Sequence, residues 1–501
     1  MADMERRITL GELASAAGDA LVSIEGDGAT VVGDVCYDSR SVSTGALFFC
    51  VTGFSVDGHR FAADAVAGGA ASVVVERRLD VTVPQVLVSD SRVAMARMAA
   101  AFFGNPADDL LLLGVTGTNG KTTTTFLLDS ILRAAGHTTG LIGTIETRVG
   151  GHVRPGVRTT PESVDLHRLF AEMRDAGVTA VAMEVTSHAL ALKRVEGVVL
   201  AAAGFTNLSQ DHLDFHASMG DYFAAKTSLF TKAHSKTGAT NVDDPFGRKL
   251  LDLGNIPCIG FGTGPDADVR GEDVVLEPAR TRMHISMQSG SLEVKTRLVG
   301  HFNVSNCLAA AAIAHQADIP AADIRAGIQA CESIPGRFEA IDEGQPFTVV
   351  VDYAHTPDSL DNVLRAARPL ADAQGGRVLV AFGCGGDRDR GKRPLMGGVA
   401  ARLSDVVVVT SDNPRSEEPD AIIGEILQGV DAERAEGPDA VLPDRREAIA
   451  WTLKNAGDGD VVVIAGKGHE TGQTFVDRTL PFDDRDVARE ELRALGFGVA
   501  R

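Results

Sequence analysis

The sequence predicts an α/β protein of three domains that are built on parallel sheets. The chain has 501 residues, and a typical domain of ~150 residues divides that length into three. Two short segments containing proline and glycine, residues 103–109 and 333–342, separate the blocks. Short all-apolar strands alternate with helical patterns in the second and third blocks, which is typical of parallel sheets covered on both faces. We therefore expect domains at residues 1–106, 107–335 and 336–501.

The middle block is predicted to form a sheet of the phosphate-loop ATPase type. The segment "DLLLLGVT" (residues 109–116) predicts a buried strand, and a helix is predicted to begin at Lys121. "TTPES" offers Thr160 as the N-cap of a second helix, with Pro161 at its first position. "TAVAMEV" (residues 179–185) is the next predicted strand.

The last block repeats this scheme and is predicted to be Rossmann-like. Its strands are "TVVVDY", "RVLVAFG", "DVVVVT" and "DVVVIAG", and each is followed by a polar loop: "YAHTPDS", "GCGGDRDRGKR", "SDNPRSEEP" and "GKGHETGQ". In such sheets ligands bind beyond the carboxyl ends of the strands. Four charged or glycine-rich loops on one rim therefore predict a single binding site.

Composition narrows the classes of partner. Hydrophobic residues make up 44% and charged residues 23% of the chain, and the net charge is −20. This charge argues against nucleic acid or an anionic membrane as the main partner. The six cysteines lack metal-ligand spacing, the start lacks the apolar core of a signal peptide, and no apolar run approaches the ~20 residues of a membrane span. We expect a reduced, cytoplasmic protein.

A phosphate-binding loop is predicted between a strand and a helix, in "GVTGTNGKTTTT" (residues 114–125). Gly117 and Gly120 let backbone amides approach phosphate oxygens, Lys121 supplies a positive charge, and Thr122 can reach a magnesium ion. The strict pattern has a glycine at the position of Val115. The strand–loop–helix context still favours ATP binding over a glycine-rich turn before a threonine-rich helix.

Three residues are candidates for a metal site. Glu184 ends a predicted strand, where its carboxylate would point toward the phosphate loop. His212 follows another apolar run, and a lone histidine of this kind can equally be structural. Lys226 lies among apolar and aromatic residues in "DYFAAKTSLF". It either extends its amine to solvent or is desolvated, loses its charge and becomes carbamylated, which would supply a further carboxylate.

The segment "TSDNPRSEEP" (residues 410–419) has two interpretations. It can be a capped turn, because Asx residues and proline start helices and Glu417, Glu418 and Asp420 suit a helix N-terminus. It can also be a binding loop, which the three other polar loops favour.

Taken together, the motifs resemble those of the Mur ligase family over essentially the whole chain. They are, in order, "GTNGKTT", "MEVTSH", "TNLSQDHLDFH", "YFAAK", "HFNVSN", "PGRFE", "DYAHTPDS", "GCGGDRDRGKRPLMG", "SDNPRSEEP" and "AGKGHE". The first block, with "YDSRSVSTGALFFCVTGFSVDGHRF", resembles the UDP-binding amino-terminal domain of that family.

The resemblance implies an ATP-dependent ligase that makes an amide through an acyl phosphate, with Lys121, Glu184, His212 and Lys226 as catalytic residues. It implies that the ATP phosphates are held by Gly117, Thr118, Asn119, Gly120, Lys121, Thr122 and Thr123. The rest of the nucleotide would contact Asn303 and Arg337 at the hinge, and Asp352 and His355 in the last domain. Thr122 and Glu184 would bind one Mg²⁺, and Glu184, His212 and Lys226 as N6-carboxylysine would bind a second.

The resemblance is strongest to members that add meso-diaminopimelate to UDP-N-acetylmuramoyl-L-alanyl-D-glutamate in peptidoglycan precursor synthesis. Tyr37, Ser39, Phe54, Ser55 and Val56 would contact the uridine end of that substrate, and Thr159, Thr160, Thr186 and Arg194 would lie near its peptide carboxylates. Diaminopimelate would be bound by Arg388, Asp412, Asn413, Pro414, Arg415, Gly466 and Glu470.

A planar guanidinium can bind a carboxylate with two parallel hydrogen bonds, and in this family the arginine of the Asp-Asn-Pro-Arg loop accompanies selection of diaminopimelate. Lysine lacks the distal carboxylate and would leave Arg415 unpaired, which costs ~1–3 kcal/mol or more for a charged group. The alternatives are a lysine-adding relative, a folylpolyglutamate synthase, or, from another class, a phosphate-loop switch or scaffold. We expect small-molecule substrates, no nucleic-acid or membrane partner, and a monomer.

Overall fold

The first sheet lies in the amino-terminal part of the chain. The structure is a computed structural model and describes residues 8–53, 56–277, 280–288 and 290–498. The strands here are β1 (Ile8–Thr9), β2 (Leu21–Glu25), β3 (Val31–Val32), β4 (Asp34–Cys36), β5 (Ala46–Phe49), β6 (Ser72–Val75) and β7 (Gln85–Val88), and the helices are α1 (Leu10–Ala16), α2 (Ala62–Ala67) and α3 (Ser91–Phe102). The sheet order is β2-β7-β6-β5-β4, with only the β2–β7 pair antiparallel, and β1 pairs with β3 separately.

The central sheet has eleven strands. They are β8 (Leu111–Thr116), β9 (Thr139–Ile142), β10 (Glu146–Val149), β11 (His152–Pro155), β12 (Ala180–Glu184), β13 (Leu200–Phe205), β14 (Ser235–Asn241), β15 (Cys258–Gly262), β16 (Val269–Glu277), β17 (Arg280–Met287) and β18 (Gly290–Thr296). The helices are α4 (Lys121–Ala134), α5 (Ser163–Asp175), α6 (Ser187–Ala191), α7 (Met219–Thr227), α8 (Pro245–Leu253), α9 (His301–Gln316) and α10 (Ala321–Ala330).

This sheet is parallel in its middle and antiparallel at both ends. Its order is β11-β10-β9-β12-β8-β13-β14-β15-β16-β17-β18. In this sheet order, each neighbouring pair from β9 through β12, β8, β13, β14 and β15 to β16 is parallel. The β10–β11 hairpin and the β17–β18 hairpin add antiparallel edges. The sequence analysis did not foresee either hairpin.

The third sheet follows the second linker. Its order is β19-β20-β24-β21-β22-β23, and only the β19–β20 pair is antiparallel. The strands are β19 (Glu339–Ile341), β20 (Thr348–Asp352), β21 (Val378–Phe382), β22 (Val406–Val409), β23 (Ala440–Val441) and β24 (Val461–Ala465), and β25 (Gly472–Thr474) pairs with β26 (Thr479–Pro481) outside the sheet. The helices are α11 (Pro357–Asp372), α12 (Lys392–Leu403), α13 (Pro419–Glu433), α14 (Arg445–Lys454) and α15 (Asp484–Ala494).

Both faces of the third sheet are buried, as its all-apolar strands require. Successive side chains of a strand point to opposite faces, so Val407 and Val409 of β22 join the core formed with α11, α12 and α13. Val406 and Val408 join the core formed with α14 and α15. Because both faces of these strands are buried, the polar residues lie in the loops at their carboxyl ends.

The predicted α/β class with parallel sheets is confirmed, but one predicted helix start is wrong. Helix α5 begins at Ser163 and not at Pro161, and its N-cap is Glu162. The Thr160 hydroxyl is engaged elsewhere: it donates to Glu184 O (2.9 Å) and accepts from Thr186 N (3.1 Å). A tertiary contact therefore overrides a local capping pattern.

Two expectations about compartment can be compared with the structure. All six cysteines are free thiols. Within the described ranges, the helices are too short or too polar to cross a bilayer.

Candidate active site

The phosphate loop joins β8 to α4 and depends on two glycines. Gly117 has φ +153° and Gly120 has φ +86°. A Cβ atom would lie 1.9 Å from Thr206 Oγ1 at Gly117 and 2.3 Å from Asn306 Oδ1 at Gly120. Glycine is therefore required at both positions for steric reasons as well as for conformation. The first turn of α4 lines a cavity of about 410 Å³, so its backbone amides are available to an anion.

Two lysine side chains donate hydrogen bonds to backbone carbonyls of this loop. Lys121 Nζ donates to Gly117 O (2.9 Å) and Thr118 O (2.8 Å), and Lys226 Nζ donates to Gly117 O (2.8 Å). Lys226 is 1% exposed and lies 4.6 Å from the centre of the Tyr222 ring. Burial lowers the pKa of both lysines, and the pKa of Lys226 is also lowered by the neighbouring Lys121. The structure therefore contradicts a solvent-directed Lys226.

Glu184 and Thr122 form a compact set of oxygen atoms beside the loop. The Thr122 hydroxyl donates to Glu184 Oε2 (3.1 Å) and accepts from Arg337 Nη2 (3.2 Å). Glu184 also accepts from Thr144 N (2.8 Å) and from the Thr144 hydroxyl (3.1 Å). A hydroxyl and a carboxylate are oxygen donors of the kind that Mg²⁺ prefers. The residues present fit a magnesium ion at this position.

His212 lies at the edge of the same cavity, in a left-handed backbone conformation (φ +55°). Its Nε2 is 3.4 Å from Asp211 Oδ2, and its ring stands edge-on to His188 with centroids 4.8 Å apart. Burial lowers its pKa, while Asp211 acts in the opposite direction. A lowered pKa favours the neutral imidazole, which is the form that binds a metal.

A second metal site is incomplete with unmodified side chains. In the part of the chain that the structure describes, no three histidine, cysteine or acidic side chains converge to hold a metal. Glu184 and His212 line one cavity, but a third ligand is needed. The unmodified side chains of the described residues therefore do not complete a second metal site.

The residues predicted to lie near the peptide carboxylates do come together. Thr159, Thr160, Thr186 and Arg194 all line the cavity of about 410 Å³. Thr159 shares a hydrogen bond with the Thr144 hydroxyl (2.9 Å). Arg194 is held by Glu162, with Nη2 2.7 Å from its Oε1, and by Thr160 O at 3.1 Å from Nη1. Sequence reasoning missed Thr144, Arg158, His188 and Asp211, which line the same space.

A second cavity of about 230 Å³ continues from the phosphate loop toward the hinge. Arg337, Asp352 and His355 line it, and the Arg337 guanidinium stacks 4.4 Å from the Tyr353 ring centre. Burial raises the pKa of Asp352 to about 6 and lowers the pKa of His355 to about 4.

Asn303 and Asp352 have structural contacts at this hinge. Asn303 is 3% exposed, donates to Val299 O (2.9 Å) and accepts from Asn306 Nδ2 (3.1 Å), so it supports the wall of the cavity through Asn306. Asp352 accepts from Phe338 N and Ala354 N, each at 2.7 Å.

Of the residues predicted for the uridine end, Tyr37, Ser39 and Val56 lie in loops between strands of the first sheet. The Tyr37 hydroxyl donates to Asp165 Oδ2 (2.6 Å) of α5, which joins the first sheet to the central one. Ser39 begins a short 3₁₀ turn, and Val56 is exposed. Phe54 and Ser55 lie outside the described residues.

A third cavity, of about 580 Å³, lies between the β10–β11 hairpin and the loops of the last sheet. Arg415, Asn413 and Glu470 line it together with the loop before β25. Arg415 has φ +53°, its amide donates to Thr474 O (2.9 Å) and its Nη1 donates to Gly386 O (2.6 Å). Arg388 lies on the neighbouring loop with an exposed side chain, and its Nη1 donates to Asp387 O (3.2 Å).

The other predicted residues of this loop cluster hold its shape. Asp412 is 6% exposed and burial raises its pKa, against the effect of Arg445. A Cβ at Gly466 (φ +116°) would lie 2.8 Å from Asp412 Oδ2, so glycine makes room for that carboxylate. Pro414 O accepts from Glu417 N (3.0 Å), which closes the turn before α13.

Two buried arginines that the sequence analysis missed tie these loops together. Arg393 is 0% exposed and bonds Glu417 (2.7 Å) and Glu425 (2.9 Å), which joins α12 to the loop before α13. Arg445 pairs with Asp484 (2.7 Å) and donates to Ser411 O (3.1 Å) and Ala465 O (2.9 Å), at the ends of β22 and β24. Arg393 lies within the quoted "GDRDRGKRP" segment, but Arg445 carries no local signal.

Three protein-family models match this chain, and all three describe Mur ligase domains. The model described as "Mur ligase middle domain" matches residues 115–314, "Mur ligase, glutamate ligase domain" matches residues 336–468, and "Mur ligase family, catalytic domain" matches residues 32–103. The chain therefore belongs to the Mur ligase family, and it is an ATP-dependent ligase.

Two similar proteins have the same name, UDP-N-acetylmuramoyl-L-alanyl-D-glutamate–2,6-diaminopimelate ligase. The protein of Geobacillus kaustophilus is 49% identical over 466 residues, covering 92% of this chain and 94% of the relative. That of Streptomyces coelicolor is 44% identical over 477 residues, covering 93% and 94%.

Solved structures agree with this at the level of the fold. A structure of a ligase with that name is 31% identical, with a TM-score of 0.70 over 98% of this chain and 99% of its own. A folylpolyglutamate synthase of Mycobacterium tuberculosis is 16% identical, with a TM-score of 0.58 over 79% and 93%. The latter likeness concerns the fold alone, so the fold does not separate the two substrate classes.

Proposed function

We propose that this ligase joins meso-diaminopimelate to the D-glutamate carboxylate of UDP-N-acetylmuramoyl-L-alanyl-D-glutamate, a step of peptidoglycan precursor synthesis. The observation that carries the proposal is the cavity of about 580 Å³ that has Arg415 and Glu470 in its wall. A cation and an anion in one cavity suit a substrate end that bears both a carboxylate and an ammonium. The relatives with this substrate in their names support the same choice.

In this proposal each part of the chain binds one substrate. Residues 1–106 bind the UDP-sugar through Tyr37, Ser39 and the turn that includes Val56, residues 107–335 bind ATP, and residues 336–501 bind the amino acid. The chain acts in the cytoplasm, where ATP is available. The long cavity that runs from the phosphate loop to His355 supports a nucleotide bound between the second and third parts.

The first chemical step transfers the γ-phosphoryl group of ATP to the substrate carboxylate. A carboxylate oxygen attacks phosphorus, the bond from phosphorus to the bridging oxygen of ADP breaks, and an acyl phosphate forms. Lys121 moves from the loop carbonyls to the phosphate oxygens, and the first-turn amides of α4 supply further donors. Arg194 and Thr186 orient the peptide carboxylates in the adjoining cavity.

Magnesium would be held by Thr122 and Glu184, with Glu184, His212 and carbamylated Lys226 as a second set. Bound there, it neutralises charge on the phosphate oxygens. The lowered pKa of Lys226 favours carbamylation, because only a neutral amine attacks carbon dioxide: a C–N bond forms and one proton is released. The buried position of Lys226 then shields the carbamate from water.

In the second step the amine of diaminopimelate attacks the acyl carbon. The C–N bond forms, the C–O bond to phosphate breaks, and the amine loses a proton. Arg415, assisted by Arg388, binds the distal carboxylate, and Glu470 binds the distal ammonium. Asp412, Pro414 and Gly466 keep these groups in place through the contacts described above.

Lysine-adding and folate-type activity are the alternatives within this fold. Arg415 argues against both, because neither substrate would fill a site built for two charges of opposite sign. A phosphate-loop switch or scaffold, which would hydrolyse ATP without an acceptor, would leave the third cavity without a role.

Product analysis tests the proposal. Purified protein is incubated with ATP, the UDP-linked dipeptide and one acceptor at a time: diaminopimelate, lysine or glutamate. We expect mass spectrometry to find an amide product with diaminopimelate and at least tenfold less with the other two. A clear preference for lysine, or ATP hydrolysis without any amide, would refute it.

A further inference from the structure

The "AGKGHE" loop contains a buried lysine, Lys467, that none of the steps above uses. It directly follows Gly466 after β24, and its side chain is 0% exposed. Gly466 and Gly468 on either side have φ values of +116° and +52°. A Cβ at Gly468 would lie 2.6 Å from Gly336 O, so the loop is pressed against the hinge. This tight turn directs the lysine inward.

The Lys467 ammonium donates hydrogen bonds to three acceptors. Its Nζ donates to Asn413 Oδ1 (3.2 Å), to Glu470 Oε2 (3.2 Å) and to Gly472 O (2.6 Å). An ammonium has three donors, so every donor of this buried cation has a partner. Such full pairing is what a charge needs in order to remain in the interior.

These contacts fix the orientation of the Asn413 amide. Its Oδ1 accepts from Lys467 and also from Thr474 N (2.9 Å). With both donors on the oxygen, the Nδ2 group must face Glu470, and it donates to Glu470 Oε2 (2.7 Å). Asn413 therefore has no free oxygen lone pair to offer an incoming ammonium.

Glu470 is left with one oxygen for a ligand. Its Oε2 receives both Asn413 Nδ2 and Lys467 Nζ, while the carboxylate lines the cavity of about 580 Å³. Two donors on one oxygen hold the side chain in a single rotamer and direct the other oxygen outward. Lys467 also acts on Asp412, where its charge lowers the pKa against the effect of burial.

We propose that Lys467 is a positioning residue that determines recognition of the distal ammonium of the amino-acid substrate, by locking Asn413 and one oxygen of Glu470. The inference rests on the proposed function. In this inference different residues bind the two charges of the substrate end. Arg415 binds the carboxylate, and the unit formed by Lys467, Asn413 and Glu470 binds the ammonium.

Two analogues of diaminopimelate separate this role from a general structural one. 2-Aminopimelate lacks the distal ammonium, and lysine lacks the distal carboxylate. For the wild type and Lys467→Met, kcat/KM is measured with each of the three acceptors, together with KM for ATP and the Tm. Lys454→Met is the matched control, because Lys454 is an exposed lysine at the end of α14 in the same part of the chain.

Lys467→Met is expected to reduce the preference for diaminopimelate over 2-aminopimelate by roughly ten- to hundredfold, the value of a charge-assisted hydrogen bond. The preference over lysine and the KM for ATP should stay within about threefold of the wild type. Lys467→Gln, which keeps hydrogen-bond donors but loses the charge, should give a smaller loss in the same direction, and it replaces Lys467→Met if that variant does not fold.

Each outcome decides a different claim. Equal losses of both preferences, or an unchanged preference over 2-aminopimelate, would overturn the inference while leaving the proposed function intact. A wild-type enzyme that makes no amide with diaminopimelate would overturn the proposed function, and this inference with it.

Discussion

The phosphate loop and the amino-acid loops hold their cations in opposite ways. Lys121 donates to backbone carbonyls of the phosphate loop, which are neutral partners. Arg393, Arg445 and Lys467 in the last part of the chain are paired with carboxylates. A carboxylate attracts a cation more strongly than a neutral carbonyl does, because opposite full charges add a coulombic attraction to the hydrogen bond.

The difference indicates two kinds of site. Lys121 can leave its carbonyl partners when a more negative ligand arrives, so this site rearranges on binding. The paired cations of the last sheet would leave carboxylates without a partner if they moved, and one of these carboxylates, Asp484, is fully buried, so they act as a fixed frame. Arg415 and Arg388, which donate to the carbonyls Gly386 O and Asp387 O, can exchange those partners for a ligand there.

The largest effect is expected at Lys121. Lys121→Ala removes the cation that is proposed to meet the transferred phosphoryl group, and kcat/KM for ATP should fall by about a thousandfold. ADP release measures this, and Lys232→Ala, an exposed lysine of the same region, is the control. A loss below about tenfold would mean that the loop amides alone stabilise the transferred phosphoryl group.

Lys226→Ala should cost about a hundredfold in kcat and respond to added carboxylate. Acetate or formate can enter the space left by the side chain and supply the missing oxygens, so partial recovery is expected. Lys121→Ala, assayed with the same acids, is the control that should not recover. Absence of recovery in Lys226→Ala, with a bare amine in a high-resolution map of the wild type, would rule out the carbamate.

Arg415→Ala tests an exchangeable cation of the second site. The apparent KM for diaminopimelate should rise by roughly ten- to hundredfold, since one charged hydrogen-bonding partner is lost. The KM for ATP should be unchanged. Arg402→Ala, which removes a surface ion pair with Glu433, should change neither value. An unaltered KM in Arg415→Ala would remove this arginine from substrate binding.

The last effect concerns stability, away from both sites, and leaves activity near neutral pH unchanged. His167 of α5 is 0% exposed, and burial lowers its pKa from 6.5 to about 4. The folded state therefore binds fewer protons than the unfolded chain between these values. The contribution of His167 to the free energy of unfolding is fully present above pH 6.5. It is lost as the pH drops toward 4, by up to about 3 kcal/mol.

His167→Phe should flatten this part of the pH profile of Tm, whereas His152→Phe, at an exposed position of β11, should not. Parallel profiles for His167→Phe and the wild type would show that another group governs the loss.

The sequence was sufficient for features that are local or repeated. The all-valine stretch of β22 and its neighbours could be recognised as buried parallel strands, and topology then brings their polar loops to one rim. Gly117 and Gly120 were identifiable because a phosphate loop needs a special backbone. The Asp412–Arg415 loop was identified as a binding loop only with the help of the other three loops.

The features that the sequence could not reveal depend on contacts between residues that are far apart in the chain. Thr160 looks like a helix cap, but its hydroxyl is used by Glu184 O and Thr186 N. Lys467 was visible in the "AGKGHE" motif, yet its role follows from Asn413, 54 residues away in the chain. Arg445 joins the ends of β22 and β24 by donating to Ser411 O and Ala465 O, and it also pairs with Asp484 of α15; no short pattern encodes such a three-way contact. The β10–β11 hairpin that closes the third cavity is too short and too polar to have been predicted.

A structure of the enzyme with bound diaminopimelate tests the central claim most directly. The account predicts the distal carboxylate at hydrogen-bonding distance from Arg415, about 2.7–2.9 Å for a charged pair, with the distal ammonium on the outward oxygen of Glu470. A distal end surrounded by solvent, with both groups beyond reach of these side chains, would contradict it.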